Sequence, residues 1–129
     1  NSDNTDINAI KNSNIKILKE DNNYLIYEPL DQKSYKVGNY KFWCTMMETM
    51  WKYYTSRGRI VIMLDKLNKN KSLICTYNTS DKEVIISSYN NTEIKIIRDG
   101  VDKTNFKDYK YPEDIDLFLN VLKKSELIN

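Results

Sequence analysis

From Gly58 to Gly100 the chain reads "GRIVIMLDKLNKNKSLICTYNTSDKEVIISSYNNTEIKIIRDG". Four β-branched runs, RIVIML, SLICTYN, EVIISSYN and EIKIIRDG, alternate with DKLNKNK, TSDK and NT, which have the polar composition of turns. Connections this short force antiparallel pairing, because a parallel crossover needs a dozen or more residues. The stretch therefore predicts a meander. RIVIML is apolar almost throughout and reads as a central strand covered on both faces, whereas EIKII alternates and predicts a wet face.

Upstream, residues 14–30 (NIKILKEDNNYLIYEPL) predict a hairpin: strands Ile15–Lys19 and Tyr24–Tyr27 joined by Asp21-Asn22-Asn23, with Pro29 closing the second. SYKVGNYKFW adds a short strand on each side of the Gly38-Asn39 pair, which suits a tight turn. Residues 1–13 are polar and aperiodic and read as a mobile linker, leaving 14–129 as one domain.

Between hairpin and meander lies FWCTMMETMWKYYTSRG (42–58), with two Trp, two Tyr, one Phe, three Met and one Cys. Thr45-Met46-Met47-Glu48 has the T-x-x-E form of a capping box and predicts a helix over about 45–57. Met47, Met50, Trp51 and Tyr54 then share one face, opposite Glu48, Thr49, Lys52 and Thr55. Arg57 suits the carboxyl end of the dipole, and Gly58 is expected to end the helix in the left-handed conformation. A second helix starts at Pro112, with Glu113 and Asp114 in its first turn and Ile115, Phe118, Leu119 and Leu122 at helical spacing, spanning about 112–124. The fold class is α+β: an antiparallel sheet of about five to seven strands, with helix 45–57 on one face and helix 112–124 on the same face or across an edge.

Charge discriminates little between partners, because 20 basic and 18 acidic side chains are interspersed and leave a net charge of +2. Cys44 and Cys75 have no CxxC spacing and the chain has no His, which removes a structural zinc set and predicts reduced, packed thiols. No metal ion or cofactor is expected. No apolar run reaches the length of a membrane span. Cys44 precedes a predicted helix start, where a thiolate is favoured, but without His no Cys–His pair can form. Asp65, Asp81, Asp99, Asp102 and Glu113 fall in turns or at a helix start, where carboxylates serve local hydrogen bonds. Asp99-Gly100 with Asp102 lacks the spacing to a final Glu that a calcium loop needs. Tyr53 falls off the apolar stripe, and with Arg57 and Arg59 it forms the candidate binding patch, in residue types that interaction surfaces favour.

FWCTMMETMWKYYTSRGRIVIMLDK, followed by SLICTY and SSYNN, resembles an uncharacterised domain of large bacteriophages and mobile elements over residues 42–90. The positions that carry the resemblance are Trp43, Cys44, Thr45, Trp51, Tyr54, Gly58, Ile60 to Leu64, Asp65 and Lys66. The glycine that often precedes the Trp-Cys pair is Lys41 or Phe42 here. As architecture, Trp43 anchors the incoming loop, Cys44 tucks beneath it, Thr45 and Glu48 cap the helix, and Trp51 and Tyr54 pack on the strand after Gly58. The resemblance implies a non-catalytic accessory or interaction domain excised from a larger phage protein, such as a nucleic-acid-handling polymerase, in the host cytoplasm or the virion. Its partners would be other domains of that polypeptide or a separate protein, with nucleic acid as a further expectation. The alternatives are a small enzyme using Cys44, Thr45 or the turn carboxylates, and a free-standing binder of a host protein.

Overall fold

The computed structural model describes residues 6–128. Its centre is one antiparallel sheet of seven strands in the order of the sequence: β1 (Ile15–Glu20), β2 (Tyr24–Pro29), β3 (Gly58–Asp65), β4 (Leu73–Asn78), β5 (Glu83–Ser87), β6 (Glu93–Arg98) and β7 (Val101–Asp102). The hairpin and the four-strand meander form as expected. β2 and β3 pair directly, Tyr27 opposite Ile62, although the whole aromatic stretch lies between them in sequence.

β3 is apolar on both sides, and each side has its own cover. Val61 and Met63 point into a core with Ile26, Cys75, Phe118 and Leu122. Ile60, Ile62 and Leu64 point the other way, against Tyr35, Tyr40, Trp43 and Trp51. Alternation along a strand separates the two sets onto opposite faces. Helix Pro112–Lys124 therefore lies across the sheet from helix Glu48–Arg57, not on the same face or at an edge as expected. The reason is coverage, since one helix cannot bury both apolar faces of a strand.

Four local expectations are corrected. Residues 6–13 are not a linker: α1 (Ile7–Lys11) is capped by the Asp6 carboxylate, which accepts from Ala9 N–H at 3.0 Å, and Ile10 is fully buried. Residues 1–5 of the expected linker lie outside the described residues. In place of strands around Gly38, the chain forms α2 (Gln32–Lys36), because the Asp31 carboxylate accepts from Ser34 N–H at 2.7 Å and sets a helix start. Third, the T-x-x-E box does not close. Cys44–Met46 is a single 3-10 turn, and α3 (Glu48–Arg57) starts at Met47 with no side-chain cap. The Thr45 hydroxyl is instead buried against the Tyr35 hydroxyl, and Glu48 pairs with Lys52 one turn on, at 3.1 Å. Met47, at the junction, is exposed, while Trp51 keeps its predicted place in the core.

The fourth correction concerns Gly58, whose φ of 177° is extended, not left-handed. Its requirement is steric: a Cβ there would lie 1.5 Å from the Tyr77 carbonyl oxygen on β4. Only glycine lets β3 leave the helix directly into pairing with β4, Gly58 opposite Asn78. Arg57 closes the helix as expected, donating to the Tyr53 carbonyl at 3.0 Å. The final helix (α4, Pro112–Lys124) matches its expected bounds.

Two measurements check this packing. In denaturant unfolding, Trp51→Ala should cost about 3–5 kcal/mol as a core truncation and Met47→Ala less than about 0.5 kcal/mol. Gly58→Ala should cost at least about 2 kcal/mol through overpacking against β4. Burial also pushes the phenols of Tyr27, Tyr35 and Tyr40 above their ordinary value and the Cys75 thiol up to about 12. Raised folded values mean that the stability is present below the unfolded pKa values and lost as pH rises through them. A stability–pH curve should therefore be flat through neutrality and fall above about pH 9–10, by on the order of 1 kcal/mol per pH unit for each such group.

Candidate functional site

Two clefts open where the aromatic stretch meets the end of the sheet. The first, of about 570 Å³, has a sheet floor of Ile74 and Thr76 (β4), Ile85 and Ser87 (β5), and Glu93 and Ile96 (β6). Trp43, Cys44, Thr45 and Tyr54 form one wall, and Asn105 and Phe106, from the segment after β7, form another. The floor is the same sheet face that α3 covers at β3, left uncovered further along because α3 ends at Arg57. Among the described residues that line it, Glu93 is the one charged side chain.

A ring-to-ring series holds the wall in place. Trp51 lies 5.1 Å from Tyr35, Tyr35 lies 5.7 Å from Tyr40, Tyr40 lies 4.7 Å from Trp43, and Trp43 lies 5.5 Å from Tyr89. Trp43 also donates its indole N–H to the Ser88 carbonyl at 2.9 Å, tying the loop to the β5–β6 turn. The hydroxyls of Tyr27 and Tyr40 bond to each other in the interior. These bonds satisfy polar groups that burial would otherwise penalise, so the aromatic stretch is rigid core on its inner side.

The second cleft, of about 520 Å³, is lined by Phe42, Tyr89, Phe106, Tyr109 and Tyr111, with Asn70, Ser88, Asn90, Thr92, Ile94, Asp108 and Lys110 between the rings. Phe106 belongs to both clefts. The rings pair edge to face, Phe42 with Tyr89 at 5.4 Å and Tyr109 with Tyr111 at 5.8 Å. Phe42 is 53% exposed and Phe106 41% exposed.

The residues expected to form a binding patch do not all meet. Tyr53 is exposed on α3, and Arg57 stacks 3.9 Å over its ring. Arg59 is held elsewhere: it makes a two-point pair with Glu28, 2.7 Å at each bond, and alternation with Val61 places it on the α4 side of the sheet. Trp43, Cys44, Thr45 and Tyr54 do converge, on the first cleft, whereas Glu48 stays on the solvent side of α3. Burial first, then the neighbouring Cys44 and Glu93, pushes the Tyr54 phenol above its ordinary value.

As chemistry, the candidate nucleophiles lack partners that would activate them. Cys44 faces the first cleft with no imidazole anywhere in the chain, and the Thr45 hydroxyl is engaged by Tyr35. Two of the turn carboxylates are engaged locally: Asp65 accepts from Leu67 and Asn68 N–H, both at 2.9 Å, and Asp102 accepts from Thr104 N–H at 2.8 Å and pairs with Lys95 at 2.6 Å. Among the described residues, no three His, Cys, Asp or Glu side chains are grouped to hold a metal ion, and no helix is long and apolar enough to cross a membrane. No protein-family model, curated protein or solved structure matches the chain.

Sequence reasoning missed Glu93, Phe106 and the segment of Asn105 to Tyr111. The signal available was composition: NFKDYKYP places three aromatic residues and two lysines in a stretch with no strand or helix pattern. Aromatics without periodicity in a loop are candidates for a surface.

Both thiols are free, Cys44 half-buried at the cleft and Cys75 buried between β3 and β5. Because the thiolate is the reacting species, a thiol reagent at mildly alkaline pH should label one Cys per native chain, at Cys44, and the second only after unfolding. Labelling of Cys75 in the native state would contradict the packing described here.

Proposed function

We propose that this chain is a non-catalytic interaction domain, an accessory part of a larger phage protein, and that its first cleft receives a segment of that polypeptide or of a protein partner. The observation that carries the reading is the first cleft itself: a rigid concave surface, partly apolar, fringed by hydroxyl and amide groups, with an exposed carboxylate at Glu93. Concave sites of this size and mixed lining take ligands by shape and a few polar contacts. A lone carboxylate favours a neutral or cationic segment and opposes a polyanion. The resemblance over residues 42–90 supports a phage source, and with it a place in the host cytoplasm or the virion and a parent that handles nucleic acid, such as a polymerase.

The enzyme reading has less behind it, since Cys44 lacks a base and Thr45 is committed to Tyr35. A free-standing binder of a host protein would use the same cleft and differ only in its partner.

The test starts from the parent reading frame. The remainder of that polypeptide, expressed separately, should bind the folded chain in titration calorimetry, and Glu93→Lys should weaken the complex at least about tenfold by reversing the charge at the cleft. A folded chain that ignores the remainder of its own parent would remove the accessory-domain reading.

A further inference from the structure

The second cleft differs from the first in what it offers a ligand. Five rings face one space of about 520 Å³, and two of them, Phe42 and Phe106, are exposed phenylalanines that the core does not need. Cations stand beside two of its rings, and a third lines it. Lys41 places its ammonium 5.8 Å from the Phe42 ring centre, Lys71 places its own 4.2 Å from the centre of Tyr111, and Lys110 lines the space directly. Lys71 is also ion-paired with the buried carboxylates of Asp65 and Asp114, at 3.9 Å each, so its charge is shared with them, and Lys110 is the lysine that lines the space.

We propose that this cleft binds single-stranded nucleic acid, with an unpaired base entering among the rings and the lysines meeting the phosphates on either side of it. Base-on-ring stacking is the sequence-tolerant element of single-strand recognition, and lysines beside the rings supply the phosphate contacts. The polar groups between the rings, Asn70, Asn90 and Asp108, can meet the hydrogen-bonding edge of a base. Lysines at separate places around the rings fit a backbone that continues past the base in both directions, whereas a free mononucleotide would engage fewer of them. An incoming cationic side chain is disfavoured because the rings of Phe42 and Tyr111 already have lysines beside them. Duplex is excluded because its bases are held within the stack. The inference stands independently of the protein-contact reading, since the two clefts have different linings, one with a lone carboxylate and the other with rings, Lys110 and Asp108, and among the described residues share only Phe106.

The full chain should be titrated into a fluorescently labelled mixed-sequence single strand at low salt, followed by anisotropy. Binding should weaken as salt rises, and a duplex of the same sequence and the free mononucleotides should each bind at least about tenfold more weakly, lacking an accessible base or a continuing backbone. Phe42→Ala and Phe106→Ala should each weaken binding by about 5- to 100-fold, with circular dichroism unchanged because both rings are exposed. Lys110→Gln should reduce the salt slope by about 0.7. Glu93→Lys, in the other cleft, should not weaken it, and so separates failure of this site from failure of the protein-contact site. Several results would overturn the inference: no binding at low salt; Phe42→Ala binding as well as the unaltered chain; duplex or mononucleotide equal to the single strand; or a trimethyllysine peptide binding in preference.

Discussion

The structure depends on β3 being apolar on both of its faces. Ile60, Ile62 and Leu64 on one side and Val61 and Met63 on the other must all leave water, and each face then requires a separate layer. The two layers are made differently. α4 covers one side as a single amphipathic helix whose Ile115, Phe118, Leu119 and Leu122 meet the sheet. On the other side the cover is assembled from α1, α2, the 3-10 turn and α3, none of which could form a stable helix alone at its length.

What makes that second layer hold together is aromatic. Tyr35, Tyr40, Trp43, Trp51 and Tyr89 bring large apolar areas into short elements, and the polar atoms of Tyr35, Tyr40 and Trp43 find partners on Thr45, on Tyr27 of β2 and on the Ser88 carbonyl. Lys69 reaches across to donate to the carbonyls of Gly38 and Asn39, at 2.7 and 3.0 Å, which ties the turn after α2 to the β3–β4 connection. The same construction leaves the clefts. Short elements cover β2, β3 and part of β4 but stop before β6, so the rest of that face remains open, walled by the aromatic layer and by the segment after β7.

This arrangement separates two kinds of surface on one small fold. Glu93 sits on a floor of Ile, Thr and Ser side chains with no cation among the described residues that line the space, while the rings around Phe42 have lysines beside them. A chain whose charge nearly cancels overall thus places an isolated carboxylate at one cleft and both signs of charge around the rings of the other, which its composition conceals.

The sequence by itself determined strands β1 to β6, the antiparallel pairing within the hairpin and within the meander, and the bounds of α4, because these follow from local composition and from short connections; that β2 pairs with β3 across residues 30–57 it did not determine. It also determined that Trp51 is core and that Cys44 and Thr45 lie beside one another at a loop-to-helix junction. Only the tertiary structure decided where Thr45 spends its hydroxyl, because a buried Tyr35 outcompetes a solvent-exposed helix start. Likewise it decided that α4 crosses to the far face, that Arg59 is drawn away from Tyr53 and Arg57 by Glu28, and that Gly58 is needed for space and not for its dihedral freedom. Each of these turns on an atom distant in sequence. The clefts were beyond local reasoning for the same reason: their walls come from residues 42–54, 85–96 and 105–111, which periodicity and capping cannot bring together and packing on both faces of β3 does.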